Sequence, residues 1–499
     1  MGPVRHALGH QNSRPRAREK DPAMTQTPAI GAALTDLLGL AAMPDFDRLQ
    51  GQIERLAGCT RPVEITGFSA TVNKETGEAL HVFNTDDEPT GRLLVACGNR
   101  RASRCPTCAE TYRRDTFHLI ATGLSGGKGT PETVATHPRA FVTLTAPSFG
   151  PVHHKITTKS GALQPCRCGQ THSPGDPLIG SPRNPDTYNY ESAVLWNAHA
   201  AKIWARFTTH LRREIAKAAG LSQREFRDHA RLSYAKVAEY QARGAVHFHA
   251  VVRIDGPDGS TTTPPAWATT ELLADAVKAA GKSAELPGPE IDGNRRLFSF
   301  GDRLDVQPIR TRDFDGDIEI TDQSVAAYIA KYATKGAEAA TDAIDHPLYC
   351  PTCHGTGYHG GYRCTRCDGS GEGQPIDHLV VTDHAKQLFR SCFDLGGRAE
   401  YAHLLLRKWA HMVGFRGHFS TKSRGYSTTL GALRDVRKAW RVQQSRAALG
   451  LPENTTLVIE SAWAFLGTGY SPGEELLAAQ VRHENALARQ LKHEGADRE

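Results

Sequence analysis

Two short stretches carry residue types that can do chemistry at a spacing that suits it. In Val246-His247-Phe248-His249-Ala250, the alternation of a β-strand sends His247 and His249 to one face and Phe248 to the other. Two imidazoles side by side can hold a divalent cation. In Tyr328-Ile329-Ala330-Lys331-Tyr332-Ala333-Thr334-Lys335, helical spacing puts Tyr328 and Tyr332 on one face, with Lys331 and Lys335 three residues after each. Two phenols and two ammonium groups near one point suit attack on a phosphate.

These residues need elements to position them. Leu232–Gln241 reads as a strand, and Ala242-Arg243-Gly244 separates it from the His strand. A three-residue hairpin loop ending in a left-handed Gly pairs Gln241 with Ala245, which sets Glu239 opposite His247 on the same face. A two-residue turn would put Tyr240 there and turn Glu239 away. The three-residue register makes Glu239, His247 and His249 a carboxylate-and-two-imidazole set, suited to Mg or Mn with positions left open for a phosphate oxygen and water. Alone, His-x-His on a strand is ordinarily two surface residues, and phenols four apart are ordinarily core. Their conjunction carries the reading.

Around them, Ala140–Ala146 alternates as a central strand that stops at Pro147. Glu191–Ala219 is an amphipathic helix with Leu195, Trp196, Ile203, Trp204, Phe207 and Leu211 on its apolar face. A helix near Trp267–Ala280 and a short strand Leu304–Arg310 precede the tyrosine helix, for which Asp322 or Ser324 is the expected cap and Gly336 the stop. Towards the N-terminus Leu37–Leu56 is helical, and Pro62–Val72, Leu80–Asn84 and Arg92–Ala96 are strand-like. Helices are expected near Thr382–Leu395, Arg398–Met412, Thr429–Leu449 and Gly473–Lys492, with Ala462–Gly469 partly buried.

Eleven cysteines in a chain expected to stay in the cytoplasm read as metal ligands. Cys97, Cys105 and Cys108, with Cys59 before the strands, supply four thiolates for a structural zinc. Cys350-x2-Cys353 and Cys364-x2-Cys367 are each followed by a Gly-rich turn, the two halves of a four-cysteine zinc hairpin. It resembles one zinc unit of the DnaJ-type chaperones, as a scaffold or DNA-gripping insert and not a sign of chaperone function. Cys166-x-Cys168-x3-His172 can complete a further zinc site if His153, His154 or a residue elsewhere joins it.

The length of 499 residues exceeds one hydrophobic core. We expect a disordered basic arm (1–36), an N-terminal zinc module (37–135), a nuclease domain with insertions (136–345), the zinc hairpin (346–376) and a basic helical DNA-binding region (377–499). The net charge of +6 is unevenly spread: from Arg407 to Arg446 there are ten Lys or Arg and one acid, +9, leaving −3 elsewhere. Lys422, Arg424, Arg434, Arg437 and Lys438, interleaved with Trp409, Phe415, Phe419, Tyr426 and Trp440, fit a nucleic-acid backbone whose bases stack on the rings. No apolar run is long enough for a membrane span, so the expected location is the cytoplasm. Gly123–Gly129 is no P-loop, because Thr122 stands where the first Gly belongs and Gly129 follows Lys128. Duplex unwinding must then come from a partner.

Thr143-Leu144-Thr145, His247-Phe248-His249 and Tyr328-x3-Tyr332 stand in the order of the three motifs of rolling-circle replication initiators, the HUH endonucleases. Over roughly residues 40 to 480, including Cys-Gly-Asn-Arg-Arg from Cys97 and Thr-Lys-Ser-Arg from Thr421, the chain is similar to actinobacterial plasmid initiators of the RepSA group, with the tandem tyrosines of the two-tyrosine class. The resemblance implies an α+β fold with a central antiparallel sheet carrying the His pair and flanking helices, one bearing the tyrosines. It implies metal-dependent nicking of single-stranded origin DNA through a 5′-phosphotyrosine, followed by strand rejoining, with a host helicase and polymerase as partners. A relaxase or transposase of the same chemistry is the near alternative, although relaxases place the tyrosine before the histidines. A non-enzymatic zinc-containing DNA-binding regulator is the distant one.

Overall fold

In chain order, helices α1 (Ile30–Ala41) and α2 (Phe46–Arg55) lead into strands β1 (Val63–Asn73), β2 (Ala79–Asn84) and β3 (Leu93–Val95), then helix α3 (Pro106–Ser125). Strand β4 (Arg139–Leu144) precedes a small hairpin, β5 (Ile156–Thr157) and β6 (Leu163–Gln164), the long helix α4 (Tyr190–Ala218) and the short α5 (Gln223–His229). The hairpin β7 (Arg231–Tyr240) and β8 (Val246–Asp255) is followed by α6 (Thr270–Ser283), a second hairpin of β9 (Leu286–Ile291) and β10 (Asn294–Phe298), β11 (Leu304–Pro308) and the tyrosine helix α7 (Asp322–Ala333). Strands β12 (Tyr358–His359) and β13 (Tyr362–Arg363), helix α8 (Asp383–Leu395), β14 (Ser420–Lys422), α9 (Leu430–Ala448), β15 (Leu457–Thr468) and α10 (Pro472–Ala496) complete the chain. This computed structural model describes residues 30–158, 160–291, 293–309, 321–334, 344, 346–448, 450 and 455–496.

The central sheet has the order β11-β4-β8-β7-β14, antiparallel throughout. Strand alternation divides β8 between two cores. Phe248, Ala250, Val252 and Ile254 enter the larger one with Ile203, Trp204 and Phe207 of α4, Val277 of α6 and Leu388 and Phe389 of α8. Val251 enters the smaller one with Leu119 and Ile120 of α3 and Val325, Ala326, Ile329 and Ala333 of α7. The sheet is therefore sandwiched, and the face bearing His247 and His249 is the one α7 covers. Each fully buried Leu, Ile, Val or Phe in these layers contributes about 1.5–3 kcal/mol.

The three-residue hairpin register is the one observed. Gln241 N–H donates to the Ala245 carbonyl at 2.9 Å, Gly244 has φ +75°, and Glu239 lies opposite His247. A Cβ on Gly244 would come within 2.6 Å of Leu388 Cδ1, so the turn needs Gly for space as well as conformation.

Several elements differ from expectation. Helix α1 begins at Ile30, so residues 30–36, expected in the disordered arm, are helical; Asp36 accepts the Gly473 N–H of α10 at 2.7 Å. The cap of α7 is Thr321, whose hydroxyl accepts from Ser324 N–H, rather than Asp322 or Ser324. The expected helix Arg398–Met412 is two short 3-10 segments, Ala399–Leu404 and Ala410–Met412, separated where Leu405 turns left-handed at φ 53°.

The region after residue 377 is not wholly helical. Its β14 closes the central sheet, and β15 pairs along the whole of β1, from Val63 opposite Thr468 to Asn73 opposite Leu457. Ala462–Gly469, expected to be partly buried, is exposed except at Gly467 and Gly469, which are half-buried. Gly67 makes the close β1–β15 approach possible, since a Cβ there would lie 1.9 Å from the Ala462 carbonyl oxygen. Arg92 clasps Glu474 of α10 through two contacts of 2.7 and 2.8 Å. The two ends of the described chain thus share one module.

Candidate catalytic and metal centres

Strand register brings three ligand atoms to one point. Glu239 Oε2 lies 3.0 Å from His247 Nε2 and 3.3 Å from His249 Nε2, and the two imidazole nitrogens are 3.0 Å apart. Donor atoms about 2.1 Å from a cation at right angles are about 3.0 Å from one another, so the trio fits one face of an octahedral divalent ion. Thr143, opposite His249 on β4, meets its Nδ1 at 3.0 Å and so fixes the ring with Nε2 facing the trio. Phe141 stacks parallel to the same ring at 5.8 Å. Burial alone would raise the Glu239 carboxyl, but hydrogen bonds and charge from the two imidazoles hold it down at about 2. Burial, more than the neighbouring His247, lowers His249, which favours the neutral ring that can coordinate.

The tyrosine helix brings its phenols to this point. Tyr328 Oη is 3.3 Å from His249 Nε2, and its ring packs edge-on against Phe141. Tyr332 lies with its ring 4.6 Å from that of Tyr328 and 5.8 Å from that of His249. Burial, followed by the neighbouring Tyr332, pushes the Tyr328 phenol well above its ordinary value, so it carries its proton near neutral pH. Lys331 is exposed, its ammonium 5.6 Å from the Tyr332 ring centroid. Lys335 lies outside the described residues.

A buried ionic lattice seats α7 on the sheet. Arg139, fully buried on β4, pairs with Asp322 in the first turn of α7 at 3.0 Å and donates to the Leu124 carbonyl at the end of α3. Arg253, fully buried on β8, pairs with Asp255 at 2.6 Å and donates to the Gly123 and Tyr426 carbonyls. Guanidinium groups here satisfy helix C-terminal carbonyls that have no partner within the helix. At its other end, α7 offers the Ala333 carbonyl to Arg100 and the Thr334 carbonyl to Ala102 N–H. Neither arginine stood out in the sequence, where a charged residue on a strand reads as exposed; the remaining signal is that each interrupts an otherwise apolar alternation.

Cys59, Cys97, Cys105 and Cys108 converge, with sulfur–sulfur distances of 3.7, 3.7 and 3.8 Å. Cys350, Cys353, Cys364 and Cys367 do likewise, at 3.6 and 3.9 Å. Tetrahedral zinc with bonds of about 2.3 Å spaces its sulfurs about 3.8 Å apart, so both clusters could hold zinc. The hairpin's halves match atom for atom: Gly357 N–H donates to Cys353 Sγ and Gly371 N–H to Cys367 Sγ, each at 3.3 Å. The N-terminal cluster sits at the start of α3, and α3 packs on α7.

The basic segment is less uniform than its composition. Arg437 forms a two-contact pair with buried Asp115 of α3 at 2.8 and 2.9 Å, and Lys422 donates to the Ser423, Arg424 and Ser427 carbonyls. Arg424, Arg434 and Lys438 are exposed. Of the rings expected to stack on bases, Phe415, Phe419 and Tyr426 are buried in the core, Trp409 is half-buried and Trp440 is exposed. Aromatic residues among cations served packing here in three of five positions.

The chain belongs to the RepSA family, described as replication initiator protein of pSAM2, whose family model matches residues 45–483. A replication initiator protein from Streptomyces ambofaciens is 47% identical over 469 residues, covering 92% of this chain and 95% of the relative. No solved structure matches the chain. Among the described residues no helix is long and apolar enough to cross a membrane.

Proposed function

We propose that this chain initiates plasmid replication by the rolling-circle route, nicking one strand of the origin as an HUH endonuclease of the two-tyrosine class. The observation that carries the proposal is the 3.3 Å approach of Tyr328 Oη to His249 Nε2 within the Glu239–His247–His249 cluster. Glu239, His247 and His249 would hold a Mg or Mn ion, which when bound would supply polarisation of the scissile phosphate. Tyr328 is the nucleophile of the first cut: its oxygen bonds to phosphorus as the bond to the 3′ oxygen breaks, and the net proton passes from the phenol to that oxygen. The products are a 5′-phosphotyrosine and a 3′-hydroxyl that primes synthesis.

Tyr332, whose ring lies farther from that of His249, is the nucleophile for the second cut that allows strand rejoining. Lys331 supplies positive charge beside it. Exposed Arg424, Arg434 and Lys438 hold the DNA backbone, and the cysteine clusters take structural zinc. With no nucleotide-binding loop in the sequence, unwinding falls to a host helicase and extension to a host polymerase.

The test is nicking of a supercoiled plasmid carrying the origin, with Mn or Mg. The wild type is expected to relax it and the Tyr328→Phe/Tyr332→Phe double variant to leave it supercoiled. Undiminished nicking by the double variant would remove the tyrosines from the mechanism.

A further inference from the structure

Residues 150–183, between β4 and α4, form a module with almost no apolar interior. Among the described residues from 155 to 178, the buried ones are Cys166 and His172. Both belong to a third cluster of ligand atoms, with His153 and Cys168. His153 Nδ1 lies 3.2 Å and Cys168 Sγ 3.3 Å from His172 Nε2. Those spacings suit a tetrahedral two-Cys, two-His zinc site. His172 turns its other nitrogen to the Asp176 carboxylate at 2.7 Å, the outer partner that a metal-bound imidazole ordinarily has. Cys166 and Cys168 sit on a tight turn closed by Gly169 at φ +89°, while His153 is bridged to Ile179 by backbone contacts. The buried residues of this segment, Cys166 and His172, both come from the ligand set, so a metal is what would order it.

The module walls a cavity of about 820 Å³. Lys155, Arg167, Arg183, Arg243 and Arg303 line it against one acid, Asp302. Thr145 and Gln241 line it too. They lie one residue past the ends of β4 and β7 and two residues beyond Thr143 and Glu239, so the cavity begins about 7 Å along the chain from the residues of the His–Glu face. A cationic hollow beside that face has the chemistry to receive a polyanionic strand.

We propose that His153, Cys166, Cys168 and His172 bind a zinc ion that fixes residues 150–183 as one wall of this cavity, and that the cavity takes the phosphate backbone of the single strand beside the cleaved bond. The DNA half rests on the replication-initiator reading; the zinc half does not.

The test uses the full chain in a Tyr328→Phe/Tyr332→Phe background. Elemental analysis is expected to give three zinc ions per chain, and two after Cys166→Ser/Cys168→Ser. A count of two in both proteins would overturn the zinc site. Fluorescence anisotropy with a labelled single-stranded origin oligonucleotide is expected to show at least tenfold weaker binding for Arg183→Ala/Arg303→Ala, which should keep all three zinc ions. The salt dependence of log K should flatten by about 1.4, two contacts at about 0.7 each. Unchanged affinity and slope in that folded variant would overturn the DNA role. Neither readout needs cleavage, so a wild type that failed to nick would contradict the proposed function and leave these results to be judged on their own.

Discussion

Tyr328 and Tyr332 are chemically alike but differently placed. Tyr328 Oη lies 3.3 Å from His249 Nε2, and its ring is nearer that of His249, at 4.9 Å against 5.8 Å for Tyr332, so Tyr328→Phe should abolish the first cut while Tyr332→Phe retains it and loses strand rejoining, as resolved on labelled origin oligonucleotides. Thr143→Val should weaken Mn binding about 10- to 100-fold by freeing the His249 ring, read by the paramagnetic resonance of free Mn. Glu239 was legible in the sequence because hairpin loop length dictates register. Thr143 stood out as part of a motif and Phe141 only as part of a strand pattern, and the contact of each with His249 was not legible, since what they touch depends on which strand pairs with β8.

Lys236 makes a separate residue-scale prediction. It projects from β7 over the Phe248 ring and donates to the His418 carbonyl at 2.7 Å, and burial pulls its ammonium from 10.5 down to about 7. Between those values the unfolded chain binds more protons, so stability should rise with pH from about 7 to 10 and carry the full penalty below 7. Lys236→Met should flatten that rise in thermal melts across the window.

At the scale of elements, α7 functions as a positioned rod. Its apolar face, Val325, Ile329 and Ala333, packs on the sheet, but apolar packing alone tolerates sliding; the Arg139–Asp322 pair fixes where the rod begins. Asp322→Ala should therefore cut the nicking rate about 100-fold through misplacement of Tyr328 while leaving single-strand affinity within about twofold, as measured by single-turnover cleavage and anisotropy. The amphipathic α4 and the β7–β8 hairpin were readable from periodicity and turn chemistry. The short 3-10 segments after α8 were not, because a helical composition there is interrupted where Leu405 turns left-handed at φ 53°, a conformation that its residue type rarely adopts.

For the whole molecule, the pairing of β1 with β15 had no local signature, since a strand's partner nearly 400 residues away leaves no mark on its own pattern. The exposed run of β15 therefore passed for a partly buried one. The same connectivity separates the zinc clusters by consequence. Cys59, Cys97, Cys105 and Cys108 anchor α3 beneath α7, so Cys105→Ser should lower Tm by about 5 °C or more and depress nicking with it. The Cys350–Cys367 hairpin reaches the opposite core through Arg407, which donates to the Gly355 and Phe393 carbonyls. Cys353→Ser should lower Tm with a smaller loss of nicking per degree.

The central claim, that Tyr328 attacks the origin strand beside the Glu239–His247–His249 trio, is tested most directly by trapping the covalent adduct. The wild-type chain is incubated with Mn and a single-stranded origin oligonucleotide, digested, and mapped by mass spectrometry. The account predicts a 5′-nucleotidyl group on the peptide containing Tyr328 as the first adduct to form. An adduct forming first on Tyr332 or another residue, or cleavage with no adduct, would contradict it.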